Sequence, residues 1–186
     1  MFGVLLIALC FAGTPVEETF TIPFCLPDGT AQEMFVRHVS ATGDGPPIVL
    51  LHFASGHSGR MIPLARRLAE RGHPTYAADL LGHGLSSKGE PVYDDTILGV
   101  RKLAEILVEK HGWPEVGLAG TSMGAEIAIH YALKQEREEE ARGERPLIGS
   151  IVAQGVIAPW QRDVALAILP ADVLPLRDRA ASLLFG

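Results

Sequence analysis

One serine of this chain stands in a setting that favours nucleophilic chemistry. Gly120-Thr121-Ser122-Met123-Gly124 forms a Gly-x-Ser-x-Gly sequence between a short apolar segment and a segment with helical spacing. A serine at a strand-to-helix junction lies on a tight turn, and the flanking glycines lack the β-carbons that would collide with strand and helix. Such a turn exposes the hydroxyl and aims the next amide and the positive helix end at a developing oxyanion. The pattern alone also fits an ordinary glycine-rich turn, so the choice between the two interpretations depends on other segments of the sequence.

Two further segments have the composition that a serine nucleophile needs beside it. Leu50-Leu51-His52-Phe53 ends an apolar run and opens the loop 54–59, where a second backbone amide can complete an oxyanion hole. Residues 79–86 read Asp-Leu-Leu-Gly-His-Gly-Leu-Ser and follow the next apolar run, with glycines where the chain must turn sharply. His52 is expected to support the oxyanion loop.

In these residues the chain resembles the α/β-hydrolase family, in particular its small lipase, esterase and peptidase-like members. The matching pieces are His52-Phe53 at the strand end, Asp-x-x-Gly-x-Gly-x-Ser at 79–86 and the Gly-x-Ser-x-Gly turn, in the family's order and within residues 19–160. The resemblance implies that Ser122 is the nucleophile and that the amides of Phe53 and Met123 form the oxyanion hole. Many relatives have His-Gly at the strand end, and the bulkier Phe53 is expected to narrow the acyl site.

The resemblance also implies that an acid and then a histidine follow the serine in chain order. Asp163 is the one candidate acid, because it comes soon after the last predicted strand, where some relatives place it. The histidine after Ser122 is His130, about 12 Å along the same predicted helix at ~1.5 Å per residue. A general base must lie within about 3 Å. His57 and His83 follow strands at the same sheet edge, but neither corresponds to the family's base, so a substitute dyad remains an alternative.

We therefore expect a serine hydrolase acting on a carboxylic ester or a related acyl bond, in a truncated chain that lacks the catalytic histidine. Loss of a triad member lowers turnover by about 10⁴ to 10⁶. The alternative is a catalytically inactive α/β-hydrolase-like binding protein. Lyase, peroxidase or thioester chemistry on the same scaffold is a third interpretation. The sequence contains no metal-ligand cluster and no phosphate loop, so no metal and no cofactor are expected.

The elements that must position these residues alternate between strand and helix. Apolar runs predict strands at 48–52, 75–79, 115–119 and 148–157. Apolar periodicity predicts helices at 61–71, 93–111 and 122–140. A hairpin of residues 19–25 and 33–41 precedes them. This alternation predicts an α/β fold, a mostly parallel sheet of about six strands with helices on both faces, corresponding to a truncated α/β-hydrolase. Three other histidines are expected at the surface or in turns: His38, His73 and His111.

The predicted domain organisation has three parts. Residues 1–18 form an apolar N-terminal extension or a weak signal peptide, residues 19–160 an incomplete hydrolase core, and residues 161–186 the start of a cap or lid. The apolar run at 2–12 is shorter than the ~20 residues of a membrane helix, so no stable membrane span is expected. Because no Lys or Arg precedes that run, a cytoplasmic location is slightly favoured over export through residues 1–13.

Composition restricts the partners. Of the 186 residues 47% are hydrophobic and 20% charged, as in globular proteins. A formal net charge of −6 disfavours nucleic acid, which leaves a small ester-type molecule as the expected substrate. Two cysteines are too few for a disulfide framework. The apolar strand at 148–157 would lie at an open sheet edge, through which self-association is expected.

Overall fold

A computed structural model describes residues 15–89, 93–143 and 146–155. Its described strands form a sheet in the order β1-β2-β4-β3-β5-β6. The strands are β1 (Glu17–Cys25), β2 (Ala31–Val39), β3 (Ile48–Leu51), β4 (Thr75–Ala78), β5 (Val116–Thr121) and β6 (Ile148–Gln154). The helices are α1 (Ile62–Ala69), which follows a 3₁₀ turn at Ser58–Met61, α2 (Tyr93–His111) and α3 (Met123–Arg142). Strands β4, β3, β5 and β6 run parallel, so the predicted mostly parallel sheet of six strands is confirmed.

The hairpin that opens the described chain pairs β1 with β2 in register from Glu17 opposite Val39 to Cys25 opposite Ala31. Its turn is closed by the amide of Thr30, which donates to the side chain of Asp28 at 2.8 Å. Gly29 adopts φ +87°, a conformation that favours glycine. Turn chemistry of this kind is local, and the sequence therefore predicted the hairpin correctly, with both strands starting two residues earlier than expected.

Helices cover both faces of the sheet. On one face, α1 packs the small side chains of Ala65 and Ala69 beside Leu50. On the other face, α2 and α3 form a larger cluster. The buried residues that these two helices contribute to it are Ile97, Val100, Leu103, Ala104, Leu107, Ile127, Ala128 and Tyr131. Because strand side chains alternate between faces, Val49 and Leu51 of β3 join the larger cluster while Leu50 joins the smaller one.

Residues 1–14 and the predicted cap at 161–186 lie outside the described residues, so the domain boundaries stay predictions. The predicted strand at 148–157 ends at Gln154. Among the described strands β6 pairs with β5 alone, and its Val152 is 67% exposed. Self-association through this edge stays a prediction. In the described ranges, no helix has the length and apolar composition needed to cross a bilayer.

His38 lies in the core, contrary to the expectation of a surface or turn position. Its side chain is only 7% exposed, and its ring stacks on Tyr76 with centroids 4.3 Å apart. Its Nδ1 lies 3.1 Å from the carbonyl oxygen of Thr75, to which a protonated Nδ1 donates. Burial lowers the pKa of His38, Lys110 acts in the same direction, and the Thr75 carbonyl and Glu18 oppose them. The register of β2 against β4 produces this burial, and sequence spacing gave no signal of it.

Acidification is expected to destabilise the protein between about pH 6.5 and pH 5, starting at the pKa of an unfolded histidine. Burial also lowers the pKa of His52 and of His111, so the unfolded chain binds more protons than the folded one in this range. The stabilisation is therefore complete above about pH 6.5 and is lost as the pH falls. Urea unfolding midpoints at pH 8.5, 7.5, 6.0 and 5.0 test this. The first two should agree, the last two should decrease, and His38→Gln should reduce the decrease. Equal midpoints at pH 7.5 and 5.0 would contradict it.

Candidate active site

Ser122 occupies the turn between β5 and α3 in a conformation that side chains rarely adopt. Its φ is +52°, and among the described residues it is the one non-glycine residue with a positive φ. Backbone hydrogen bonds hold it there. The Ser122 amide donates to the Gln154 carbonyl oxygen at 2.8 Å, and the Ser122 carbonyl oxygen accepts from the amides of Ala125 at 2.8 Å and Glu126 at 3.0 Å. A left-handed conformation costs a residue with a β-carbon about 1–2 kcal/mol. Strain of this size persists where the surrounding structure enforces it, which is common at functional sites.

The two glycines of this turn are required by close packing. A β-carbon on Gly120 would lie 2.2 Å from the carbonyl oxygen of Gly124, and one on Gly124 would lie 2.4 Å from that of Leu51 and 2.7 Å from that of His52. The first helical turn of α3 therefore contacts the end of β3 directly. This approach brings together the two segments that carry Phe53 and Met123, the predicted oxyanion donors.

The backbone near Phe53 is held by a buried histidine. The Phe53 carbonyl oxygen lies 2.7 Å from His52 Nδ1 and accepts from the Gly56 amide at 2.8 Å. The amide of Leu80 donates to His52 Nε2 at 3.0 Å, so the proton of the neutral ring resides on Nδ1, which donates to Phe53. Burial lowers the pKa of His52, which favours this neutral form.

The two predicted donor amides have unused hydrogen-bonding capacity. Met123 begins α3, and N–H groups in the first turn of a helix have no acceptor within the helix. In the described part of the chain, the Phe53 amide makes no turn or loop hydrogen bond to other backbone. Within the described residues, neither amide thus has a backbone acceptor.

The two histidines that the sequence left open as a substitute base, and His130, are engaged in other contacts. His57 Nδ1 accepts from the Gly59 amide at 3.2 Å, and His83 Nε2 lies 2.6 Å from the Ala54 carbonyl oxygen. The ring of His130 packs against Tyr93, with centroids 6.1 Å apart. No described residue forms a hydrogen bond with the Ser122 hydroxyl.

The remaining predicted site residue, Asp163, lies outside the described residues. Within the described ranges, no group of three or more acidic, histidine or cysteine side chains could hold a metal ion. The predicted site residues within the described ranges are therefore Ser122, Phe53 and Met123.

A small apolar cavity borders the serine turn through Met123. Its volume is about 30 Å³, and its lining residues are Leu80, Leu81, His83, Tyr93, Thr96, Met123 and Ile127. Space of this size accommodates roughly one water molecule. At its rim the Tyr93 hydroxyl donates to the Glu126 carboxylate at 2.9 Å. Burial raises the pKa of Tyr93, and the neighbouring Glu126 carboxylate raises it further. Sequence reasoning missed this cavity, because helical periodicity predicts each helix separately and gives no sign that α2 and α3 leave a gap between them.

Comparison with known proteins gives a family match over most of the sheet. The model of the family described as serine aminopeptidase, S33, matches residues 46–168, which is more than half of the chain. Pimeloyl-[acyl-carrier protein] methyl ester esterase of Nitrosospira multiformis is 34% identical over 114 residues, covering 61% of this chain and 41% of the relative. The enzyme of the same name from Xylella fastidiosa is 34% identical over 97 residues, covering 51% of this chain and 34% of the relative. The chain thus spans less than half the length of these relatives.

Solved structures share the fold. A probable hydrolytic enzyme from Pseudomonas aeruginosa superposes with a TM-score of 0.62 at 22% identity, covering 82% of this chain and 46% of that protein. A thermostable carboxyl esterase from Bacillus coagulans also gives a TM-score of 0.62, at 17% identity, covering 84% of this chain and 50% of that protein. At these identities the likeness concerns the arrangement of strands and helices alone.

Proposed function

Since this chain belongs to the α/β-hydrolase family, whose serine aminopeptidase (S33) model matches residues 46–168, we propose that it is a serine hydrolase that cleaves a carboxylic ester. The observation that carries the proposal is the left-handed conformation of Ser122 between β5 and α3. The predicted family and fold are confirmed, and the described chain is a partial version of that fold. The activity and the role of each residue are proposals.

In the proposed reaction Ser122 Oγ attacks the ester carbonyl carbon, and the carbonyl oxygen becomes an oxyanion. The amides of Phe53 and Met123 donate to that oxygen, and the positive end of α3 adds to its stabilisation. A base takes the Ser122 proton and returns it to the departing alkoxide, which leaves as the alcohol, and water then hydrolyses the acyl–serine ester to a carboxylic acid and the free serine hydroxyl. A serine hydroxyl needs a base to accept its proton. We assign Asp163 as the acid that would orient such a base, and we assign no histidine of this chain as the base.

For the substrate we propose an ester with a small alkyl group beside the serine. The cavity next to Met123 accommodates about one water molecule, and a methyl group is of comparable size. The curated relatives are named for a methyl ester, which agrees with a small group. A methyl ester is therefore the first substrate to test.

A fluorophosphonate probe tests the proposal on the 186-residue chain itself. Ser122 Oγ would bond to phosphorus as fluoride leaves and the hydroxyl proton passes to solvent. We expect slow labelling at Ser122, located by peptide mass spectrometry, because the oxyanion donors alone retain about 10³–10⁴ of catalysis over water. The exposed Ser55 serves as an internal control and should remain unlabelled.

The competing function is an inactive α/β-hydrolase-like binding protein, which is favoured by the lack of a described partner for the Ser122 hydroxyl. It predicts a folded chain that stays unlabelled by the probe. Labelling of Ser122 but not of Ser55 would eliminate it. A folded, unlabelled chain would instead overturn the hydrolase proposal.

A further inference from the structure

The segment 79–86, which follows β4, contacts the loop 53–59 at both ends of that loop. We call residues 79–86 the anchor segment and residues 53–59 the oxyanion loop. Near the start of the oxyanion loop, His83 Nε2 lies 2.6 Å from the carbonyl oxygen of Ala54. Near its end, the Ser58 amide donates to Asp79 Oδ1. The proposed donor Phe53 directly precedes the first of these contacts.

Asp79 has the environment of a structural carboxylate. It is 2% exposed, and it accepts from the Ser58 amide and, through Oδ2, from the Leu85 amide at 2.7 Å. Burial by itself would raise the pKa of Asp79, but hydrogen bonds from Ser58 and Leu85, with a contribution from His52, outweigh burial and lower it. Arg37 Nε donates to the Ser58 hydroxyl at 3.2 Å, which adds a cation to the network. Asp79 is therefore ionised and fully engaged in holding backbone.

The anchor segment is itself attached to the sheet. The Ser86 hydroxyl donates to the Asp79 carbonyl oxygen at 2.6 Å and accepts from the Phe35 amide of β2 at 2.8 Å. Gly84 has φ +51°, and a β-carbon there would lie 1.9 Å from Asp79 Oδ2. Asp79, Gly84 and Ser86 of the Asp-x-x-Gly-x-Gly-x-Ser pattern therefore have a common structural role. They form a rigid turn in which the carboxylate points at the oxyanion loop.

Two histidine rings restrain successive carbonyl groups of the oxyanion loop. His52 Nδ1 donates to the Phe53 carbonyl oxygen. In His83 both ring nitrogens face carbonyl oxygens, Nε2 that of Ala54 at 2.6 Å and Nδ1 that of Leu81 at 3.0 Å, and the ring protonated on Nε2 donates to Ala54. The rings meet edge to face, with centroids 5.1 Å apart. With both carbonyls fixed, the torsions on the C-terminal side of the Phe53 amide are fixed as well.

We infer that Asp79 and His83 are positioning residues that fix the direction of the Phe53 N–H by holding Ser58 and Ala54. The inference rests on the proposed function only in taking Phe53 as an oxyanion donor. Asp79 does not line the cavity next to Met123 but His83 does, so for His83 hydrogen exchange of the oxyanion loop, rather than labelling, is the decisive readout. Both residues act through the backbone of the oxyanion loop, and their loss loosens the loop without removing the serine or its turn.

Gly84→Ala tests the role of Asp79, and Gly112→Ala is its matched control. Both glycines have a positive φ, +51° and +66°, so both alanines carry the same kind of backbone strain. A β-carbon at 84 meets the engaged Asp79 carboxylate, whereas one at 112 meets nothing within 4 Å. We expect Gly84→Ala to increase hydrogen exchange in the oxyanion loop at least tenfold and to slow fluorophosphonate labelling of Ser122 at least tenfold. Gly112→Ala should change neither.

His83→Ala and His83→Gln test the second contact and decide the matter if Gly84→Ala does not fold. A glutamine amide can donate to the Ala54 carbonyl and an alanine cannot. We expect His83→Ala to behave like Gly84→Ala and His83→Gln to recover exchange and labelling to within about threefold of wild type, as a direct hydrogen-bond donor should.

The two readouts separate this inference from the proposed function. Hydrogen exchange of the oxyanion loop needs no activity, so it tests the positioning role even if the wild-type chain stays unlabelled. Faster hydrogen exchange of the oxyanion loop in His83→Ala and Gly84→Ala supports the role even if labelling cannot be measured. Wild-type exchange in the folded variants overturns it, and so does wild-type labelling of Ser122 in variants that the probe reaches.

Discussion

Gly120→Ala is expected to destabilise the protein by about 3 kcal/mol or more, the upper range for overpacking a core. A β-carbon at this position would lie 2.2 Å from the carbonyl oxygen of Gly124 and 2.5 Å from the amide nitrogen of Ala125. Both are backbone atoms in the first turn of α3, so no change of rotamer can relieve the collision. The helix would have to move away from β5, and its contact with the end of β3 would be lost.

Gly117→Ala is the matched control, since Gly117 lies on the same strand and has no positive φ. The nearest atom to its β-carbon would be the Ser150 hydroxyl oxygen at 3.2 Å, at the end of a side chain that can rotate. We expect this variant to lose less than about 1 kcal/mol. Urea unfolding of the two variants gives the comparison. Equal losses would mean that close packing is not the reason for glycine at position 120.

Ser122→Ala is expected to abolish labelling at this position and to remove whatever methyl-ester hydrolysis the wild-type chain shows, because the variant lacks the nucleophile. The alanine variant should retain the circular dichroism of the wild type, because Ala tolerates the same neighbours. Hydrolysis is measured with purified chain at matched concentration. Ester hydrolysis that survives unchanged in Ser122→Ala would assign any activity to another group.

Ser122→Gly, compared with Ser122→Ala, separates the chemistry of this residue from its strain. Both variants lack the hydroxyl, but glycine adopts φ +52° without the steric cost that alanine retains. We therefore expect the glycine variant to be more stable than the alanine variant by about 1 kcal/mol, as measured by urea unfolding. An alanine variant as stable as the glycine variant would mean that the turn carries no such strain.

The predictions for Gly120 and Ser122 concern the same close packing between β5 and α3. The glycines at 120 and 124 let α3 approach β3 and β5 closely, and that approach keeps Ser122 in its left-handed conformation. A strained residue with a free hydroxyl lowers stability, and it is retained where its position serves a function. The same packing brings the end of β3, which leads into Phe53, against the first turn of α3, which contains Met123.

Elements whose signals are local could be predicted from the amino-acid sequence. Helical periodicity gave α2 its observed bounds of Tyr93–His111, and turn residues gave the hairpin. The serine turn was also predictable, because a Gly-x-Ser-x-Gly pattern between a strand and a helix leaves few ways to fold. Periodicity and turn chemistry act between residues a few positions apart, so they can be recognised in the sequence alone.

Features that depend on contacts between distant segments became visible in the folded chain and not before. The burial of His38 follows from pairing β2 with β4, and the use of Asp79 and His83 to hold Ser58 and Ala54 follows from placing two loops side by side. The cavity at Met123 arises where α2 and α3 fail to close on the loop after β4. These partners are separated by 20 or more positions in the chain, and sheet register and helix packing bring them together. Sheet register and helix packing cannot be inferred from the residue spacing within a single segment.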